Sequence, residues 1–378
     1  MSIMKLLAYV PQLTPRIKYI FNFIFHDVLK TEIGFCTNIQ EFKDSNLPKI
    51  SYCNQAITDE IHFKNADLLL GHNIIRTAFK TTAFGDTIVP FAVNGGTLPF
   101  DPFAASFYFI SRYEEYIHFN PDDEGHYPAE ISLQSRLKLL QIPVIDGWAM
   151  ILKNILLKKH PSLYFGKKSF NFVPITCMFP GSKYSSSFLK SARQLIRKVQ
   201  AVLKRNVAEA NQSAEIYEFL KTEQDKYHLK GLFFYQSPDN ENGEADGQAD
   251  LPNSYLQLLK TGTRNDYRMG YQNTPGFRAG TCTPFLWYDL QLEKTTHLMV
   301  HPIAINDLCL TADKMMRTDS VLNKWKNMVD MVKLMNGQFY VVWHQDTLTQ
   351  PRKGKYAQKL YREMLSNFLS LPNDLRPE

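Results

Sequence analysis

Residues 173–180 read VPITCMFP, an apolar run ending on Thr176, Cys177, Met178, Phe179 and Pro180. A run this apolar lacks the alternation of a strand with one wet face, so it reads as a strand buried on both sides, as in a parallel sheet. In α/β folds catalytic groups gather at the C-terminal tips of such strands. The cysteine and methionine at this tip are therefore soft metal ligands, a nucleophile, or plain filling.

Three further segments share the texture: LKGLFFY (229–235), THLMVHPIAI (296–305) and QFYVVWH (338–344). Between VPITC and LKGLFFY, FLKSARQLIRKVQAVLKR (188–205) reads as a helix with six basic residues and no acidic one. Its plain reading is a solvated face, and its sharper one a surface that docks on an anionic membrane or a partner. Strands alternating with helices predict parallel βαβ units from about residue 165 onward. QSPDNENGEADGQADLPN (236–253) holds five acidic residues and Leu251 as its one large apolar side chain, which predicts a flexible surface loop or linker.

Residues 1–150 read as a separate α/β unit. LLAYV is strand-like, Pro15 opens a helix whose apolar positions continue through Leu29, and KISYC (49–53) and TIVPFAV (87–93) are short strands. FDPFAASFYFISRYEEYI (100–117) reads as a helix, with Asp101 as cap, Pro102 in the first turn and aromatics at helical intervals. Two units are expected, 1–150 and 165–378, which suits a chain of 378 residues.

The totals narrow the function. A composition of 44% hydrophobic and 21% charged residues is that of a folded chain, and a net charge of +6 is too diluted to argue for nucleic acid. Cysteines 36, 53, 177, 282 and 309 form no CxxC pair, which points to reduced thiols and a cytoplasmic location. Pro11 and Pro15 interrupt the apolar start, so no signal peptide is expected. The stretch Ile17–Leu29 carries Lys18, Asn22, His26 and Asp27 and is shorter than the roughly 20 residues of a spanning helix, so no transmembrane segment is expected.

Three polar groups stand out. Arg278, flanked by Gly276 and Gly280, can lie in a tight loop and grip a carboxylate bidentately, or brace neighbouring loops. His344 ends an apolar strand, a good place for general acid/base work, although a lone histidine is more often structural. Asp307 closes VHPIAIND, where its plain role is to cap the next turn. Cys282 is a fourth candidate, as a nucleophile working with His344, against the commoner reading of a small buried thiol.

GFRAGTCTPFLWYDLQLEKTTHLMVHP, with DYRMGY before it, is similar to the third signature region of bacterial polysaccharide deacetylases of the NodB-homology type. FDPFAASFYFISRYEEY, VIDGW and the opening YVPQLTPRIKYIFNFIF resemble the uncharacterised N-terminal domain of one branch of that family. The resemblance implies a distorted (β/α) barrel in which one Asp and two His hold a divalent metal that activates water against an N-acetylated sugar. A second Asp is the base, an Arg orients it, and a His is the acid. Arg278 matches the arginine, Asp307 resembles the supporting aspartate, and His344 matches the terminal histidine.

The metal half of the pattern is missing. Met178 and Pro180 stand where the two carboxylates belong, and no His-Pro-Ser segment follows LKGLFFY, so a stretch on the order of two βα units is absent. The expected fold is thus an N-terminal α/β domain followed by a shortened, distorted barrel with a remnant site at Arg278, Asp307 and His344. The expected function is a catalytically degenerate deacetylase relative that binds a glycan or serves as a scaffold in envelope-polysaccharide metabolism, with no cofactor. A shortened barrel leaves strand edges that a protein partner or the N-terminal domain would cover. The first rival is an active metal hydrolase, with zinc on His301, Asp307 and His344. The second is a membrane-surface or partner-binding protein that uses helix 188–205 and sits peripherally on the inner membrane.

Overall fold

The structure, a computed structural model, describes residues 6–76, 78–117, 121–123, 125–178, 212–235, 248–312, 318–350 and 353–369. Helix 188–205 and Pro180 lie outside the described residues. The first unit is built on a four-stranded parallel sheet in the order β2-β1-β3-β4, formed by β1 (Leu6–Tyr9), β2 (Ile33–Cys36), β3 (Lys49–Cys53) and β4 (Ile61–Lys64). Helix α1 (Pro15–Phe21) begins where the Thr14 hydroxyl accepts the Ile17 N–H at 3.1 Å, and the chain continues to Val28 in wider, π-type winding. The apolar stretch read as one helix is therefore one buried rod with two windings. Helix α2 (Ile39–Asp44) connects β2 to β3.

A hairpin of β5 (Thr81–Phe84) and β6 (Thr87–Pro90) follows. β6 is shorter than TIVPFAV suggested because Phe91 takes φ 60°, which turns the chain out of the strand. Helix α3 (Pro102–Ile110) has all nine residues buried, the mark of a helix packed on every side. Arg112, at φ 54°, breaks the expected long helix, and α4 (Tyr113–Ile117) restarts after it. Helices α5 (Leu133–Arg136) and α6 (Val144–Lys159) complete the unit.

The second unit contains β7 (Asn171–Met178), α7 (212–225), β8 (Leu232–Tyr235), α8 (Asn253–Thr261), β9 (Asn265–Met269), β10 (Phe285–Asp289) and β11 (Lys294–Asn306). It continues with α9 (Cys309–Ala312), α10 (Thr318–Leu334), β12 (Gln338–His344), α11 (Gln345–Thr349) and α12 (Gly354–Phe368). Strands β9, β11, β12, β7 and β8 pair in that spatial order, all parallel, in a sheet curled into a half-barrel, and β10 runs antiparallel to the first half of β11. The α/β class is as read from the sequence.

Strand alternation sorts the side chains of this sheet. Phe172, Phe339, Val341 and Trp343 face outward onto Trp325 and Val329 of α10 and Leu360, Tyr361 and Met364 of α12. Val173, Ile175, Cys177, Ile303, Tyr340 and Val342 face inward and fill the concave side, with Leu232, Phe234 and Tyr267 packed against them. Among the described residues β8 and β9 share no backbone pairing, yet the Phe234 and Tyr267 rings on these edge strands lie 5.2 Å apart. Aromatic contact bridges the two edges where hydrogen bonds do not.

The two units share one apolar core. Phe285, Trp287, Tyr288, Leu298 and Val300 of the β10–β11 hairpin belong to the same buried cluster as Phe103, Phe107 and Trp148. At the hairpin turn Glu293 receives Arg16, while Tyr19 donates to the Leu286 carbonyl at 2.8 Å. The boundary near residue 150–165 is thus a connection in the chain and not a gap in the packing. The acidic segment is corrected in part as well. Ala249 and Leu251 are buried in this core, so its described end, 248–253, is an anchored strap and not a surface loop.

Candidate functional site

His344 is the last residue of β12, and Asp307 follows the last residue of the neighbouring β11. Asp307 accepts the His344 backbone N–H at 2.8 Å through Oδ2 and engages ring Nδ1 at 2.6 Å through Oδ1. Its own N–H donates to the Val342 carbonyl at 3.0 Å, so backbone and side chain both lock the pair. The capping role expected of Asp307 falls instead to Asn306, whose Oδ1 accepts the Leu308 N–H at 3.0 Å. With Nδ1–H committed to the carboxylate, the neutral imidazole presents Nε2 as its acceptor.

The tip of β7 lies beside this pair. Cys177 is the register partner of His344 on the adjacent parallel strand. Both side chains continue the inward-facing series, Val173, Ile175 and Cys177 on one strand and Tyr340, Val342 and His344 on the other. Met178 is buried with the opposite parity. Hence Cys177, and not Met178, shares a face with His344.

The inward face opens next to a small hollow lined by Tyr267, Arg268, Gly270, Tyr271, Asn306 and Val342. Gly270 is required there, since a Cβ at that position would stand 2.9 Å from Cβ of Ile303. Arg268 is 6% exposed, and its Nε donates to Asp266 at 2.7 Å. That carboxylate also accepts the Tyr255 hydroxyl at 2.8 Å. Nη2 of Arg268 is buried with no hydrogen-bond partner among the described residues.

Arg278 is elsewhere. Fully buried, it holds Glu115 of α4 bidentately, Nε to Oε1 at 3.0 Å and Nη2 to Oε2 at 2.7 Å, and Nη2 also donates to the Ala249 carbonyl at 2.9 Å. Arg112 completes a neutral quartet. It donates to Glu115 at 2.7 Å, to Glu114 at 3.0 Å, to the Tyr271 hydroxyl at 3.1 Å, and to the Arg278 carbonyl. Burial pushes the Glu114 carboxyl up, and Arg112 only partly offsets it. Burial alone would raise Glu115 too, but Arg278 and Arg112 outweigh it and hold that carboxyl low. Of the two roles read from the sequence, a bidentate grip on a carboxylate and the bracing of loops, Arg278 combines both on the protein's own Glu115 and Ala249.

Cys282 is equally structural. Its thiol pKa is driven well up by burial and by Asp146, and a Cβ on Gly337 would come within 2.3 Å of its sulfur. Asp146, at the start of α6, accepts from Thr281 at 2.5 Å, from the Cys282 N–H at 3.0 Å and from Thr283 at 2.6 Å. The pairing of Cys282 with His344 does not stand, because the thiol is enclosed by Asp146 and Gly337.

His301 lies six residues before Asp307 on β11, roughly 20 Å away at about 3.3 Å per residue. Its ring stacks on Tyr267 at 4.2 Å, and its nitrogens meet the Tyr340 hydroxyl at 2.9 Å and Asn265 at 3.0 Å. The set His301, Asp307 and His344 therefore does not fit one zinc ion. Asp307 also uses both carboxylate oxygens on His344, and the described residues contain no group of three His, Cys, Asp or Glu side chains able to hold a metal.

The residues that sequence reasoning missed, Arg112, Glu114, Glu115 and Asp146, signalled themselves as charges inside otherwise apolar runs, where a buried charge needs a partner. All four lie in the N-terminal segments. Residues 6–161 match a family of unknown function, DUF7033. The charged quartet and Asp146 thus show that the DUF7033-like segment grips the GFRAGTCT loop that follows it by more than a hundred residues. No curated protein and no solved structure matches the chain.

Proposed function

We propose that this chain is a polysaccharide-deacetylase-like protein that has lost metal-dependent hydrolysis and binds a glycan at the mouth of its half-barrel, in cell-envelope polysaccharide metabolism. One observation carries the reading: Asp307 and His344 form a fixed pair at the C-terminal ends of adjacent strands, while the neighbouring β7 ends on the buried Met178 where the resemblance calls for a carboxylate. Water activation of the expected kind needs a carboxylate base beside the metal ligands, and a thiol, a thioether and an enclosed Arg278 do not supply one. Tyr271, Arg268 and Asn306 put an aromatic ring and polar groups around a hollow with room for about one water, which would border a bound sugar and not enclose it.

The test combines binding and turnover. Titration with N-acetylated oligosaccharides, read by intrinsic tryptophan fluorescence, is expected to show saturable binding that Tyr271→Ala weakens, with no acetate released. Stoichiometric metal together with acetate release abolished by His344→Ala would overturn the reading in favour of an active hydrolase. Absence of any saturable glycan binding would overturn it in favour of a purely structural role.

A further inference from the structure

From Gly147 to Met178 the chain carries Lys153, Lys158, Lys159, Lys167 and Lys168, and neither an acidic residue nor an arginine. The fold adds lysines from two other elements to this segment. The Gly166 N–H donates to the Lys30 carbonyl at 2.9 Å, which brings Lys30, two residues past the end of the α1 rod, beside Lys167. Nζ of Lys153 on α6 lies over the Phe165 ring at 5.2 Å, and Nζ of Lys333, in the last turn of α10, lies over Phe170 at 5.7 Å. Residues 160–170 are therefore a seam along which three helical elements gather basic side chains. Two large apolar side chains stay wet beside them, Tyr164 at 56% exposure and Leu334, next to Lys333, at 79%.

Helix dipoles account for Lys158, Lys159 and Lys333, which sit in last turns, and Asp59 and Asp330 pair with the latter two at 3.4 and 3.7 Å. Neither reason reaches Lys30, Lys153, Lys167 and Lys168. These lie outside the last turns and pair with no acid among the described residues; Lys168 reaches only the Thr283 hydroxyl at 3.3 Å, and Glu32, two residues past Lys30, stays exposed. Lysine lacks the planar fork that arginine offers a single phosphate, so the set suits a diffuse anionic surface over a built phosphate site. An exposed tyrosine among lysines is the pairing found at membrane interfaces, where the ring sits at headgroup level and the ammonium groups meet the lipid charge.

We propose that this seam docks on an anionic lipid surface, with Tyr164 and Leu334 in the headgroup layer and Lys30, Lys153, Lys167 and Lys168 over the lipid phosphates. Strands β7 and β12 begin at the seam and run away from it, so docking leaves the Asp307–His344 end of the sheet facing away from the lipid. The inference does not rest on glycan binding.

Full-length protein is mixed with sedimenting vesicles of phosphatidylcholine, alone or with about one third phosphatidylglycerol. Binding is expected to the anionic vesicles only, and it should weaken steeply as salt rises. One lysine near an anionic surface is worth about fivefold in partitioning, so the triple variant Lys30→Gln, Lys153→Gln, Lys167→Gln should bind roughly a hundredfold less. Tyr164→Ser should bind less tightly at unchanged charge. A second triple variant, Lys190→Gln, Arg193→Gln, Arg197→Gln, neutralises the basic stretch 188–205 and separates the two sources of charge. Equal binding to uncharged vesicles, no binding to anionic ones at low salt, or unchanged binding of the seam variant beside loss in the 188–205 variant would overturn the proposal. So would polyphosphate binding as tight as vesicle binding with Tyr164→Ser without effect, which would assign the seam to a soluble polyanion.

Discussion

Arg278 and Glu115 illustrate how a residue that reads as catalytic can be structural. A buried, doubly hydrogen-bonded pair costs about 3–5 kcal/mol when one member is removed, because the other charge is stranded. Arg278→Met is therefore expected to lower unfolding stability by about that amount in urea titrations. Arg278→Lys should recover little, since an ammonium cannot make the two-pronged contact. His301 gives a pH-dependent counterpart. Burial lowers its pKa from 6.5 to about 4, so between these values the unfolded chain binds more protons than the folded one. Stability must then fall as pH drops from about 6.5 to 4, by up to roughly 3 kcal/mol at about 1.4 kcal/mol per pKa unit. Denaturation midpoints at pH 7 and pH 4.5 should show a smaller acid loss in His301→Gln than in the wild type. Glu60 has the acid-limb sign: its carboxyl, held at about 2 by the Ile57 and Thr58 N–H groups and the Ser51 and Thr58 hydroxyls against its partial burial, stabilises the fold above pH 4.5 and ceases to as pH falls toward 2.

At the scale of elements, most strands were legible because their burial is written as apolar runs. KISYC and QFYVVWH coincide with β3 and β12, and VPITCM lies within β7. The break between α3 and α4 was not legible, because it depends on the left-handed backbone at Arg112, whose side chain joins the nearby Glu114 and Glu115 to Tyr271 and the Arg278 carbonyl from far along the chain. The inward facing of Cys177 was within reach of a period-2 reading, but its partner His344 was not, since register between distant strands is a tertiary fact. Capping was legible. Asp101 caps α3 as expected, and beyond the Phe103 and Ala104 N–H groups it also accepts the Tyr52 hydroxyl and the Ala66 N–H. Asp101→Ala should cost more than the typical cap loss of about 1 kcal/mol, reaching about 2–4 kcal/mol as the two extra buried donors lose their acceptor. Gly270→Ala tests the mouth, where crowding against Ile303 should cost about 1–3 kcal/mol by thermal unfolding.

On the scale of the whole molecule, the sequence divides where the packing does not. Composition and texture change near residue 160, yet Phe285, Trp287 and Leu298 complete the apolar cluster of the first unit, and Asp146 and Glu115 reach into the second. Calorimetry of the full chain should give one cooperative transition, and a fragment ending at residue 165 should lack a sharp one, with ANS binding to its uncovered face. Two separable transitions would show that the shared core contributes little. That core also imposes an order in time. During synthesis residues 6–161 emerge well before residues 285–300, and at about 5–20 residues per second the wait is on the order of ten seconds. Through that interval the rings of Tyr19, Phe23 and Phe107 lack the cover that Phe285 and Tyr288 later give them, so the nascent protein is a natural client for a chaperone at the ribosome exit.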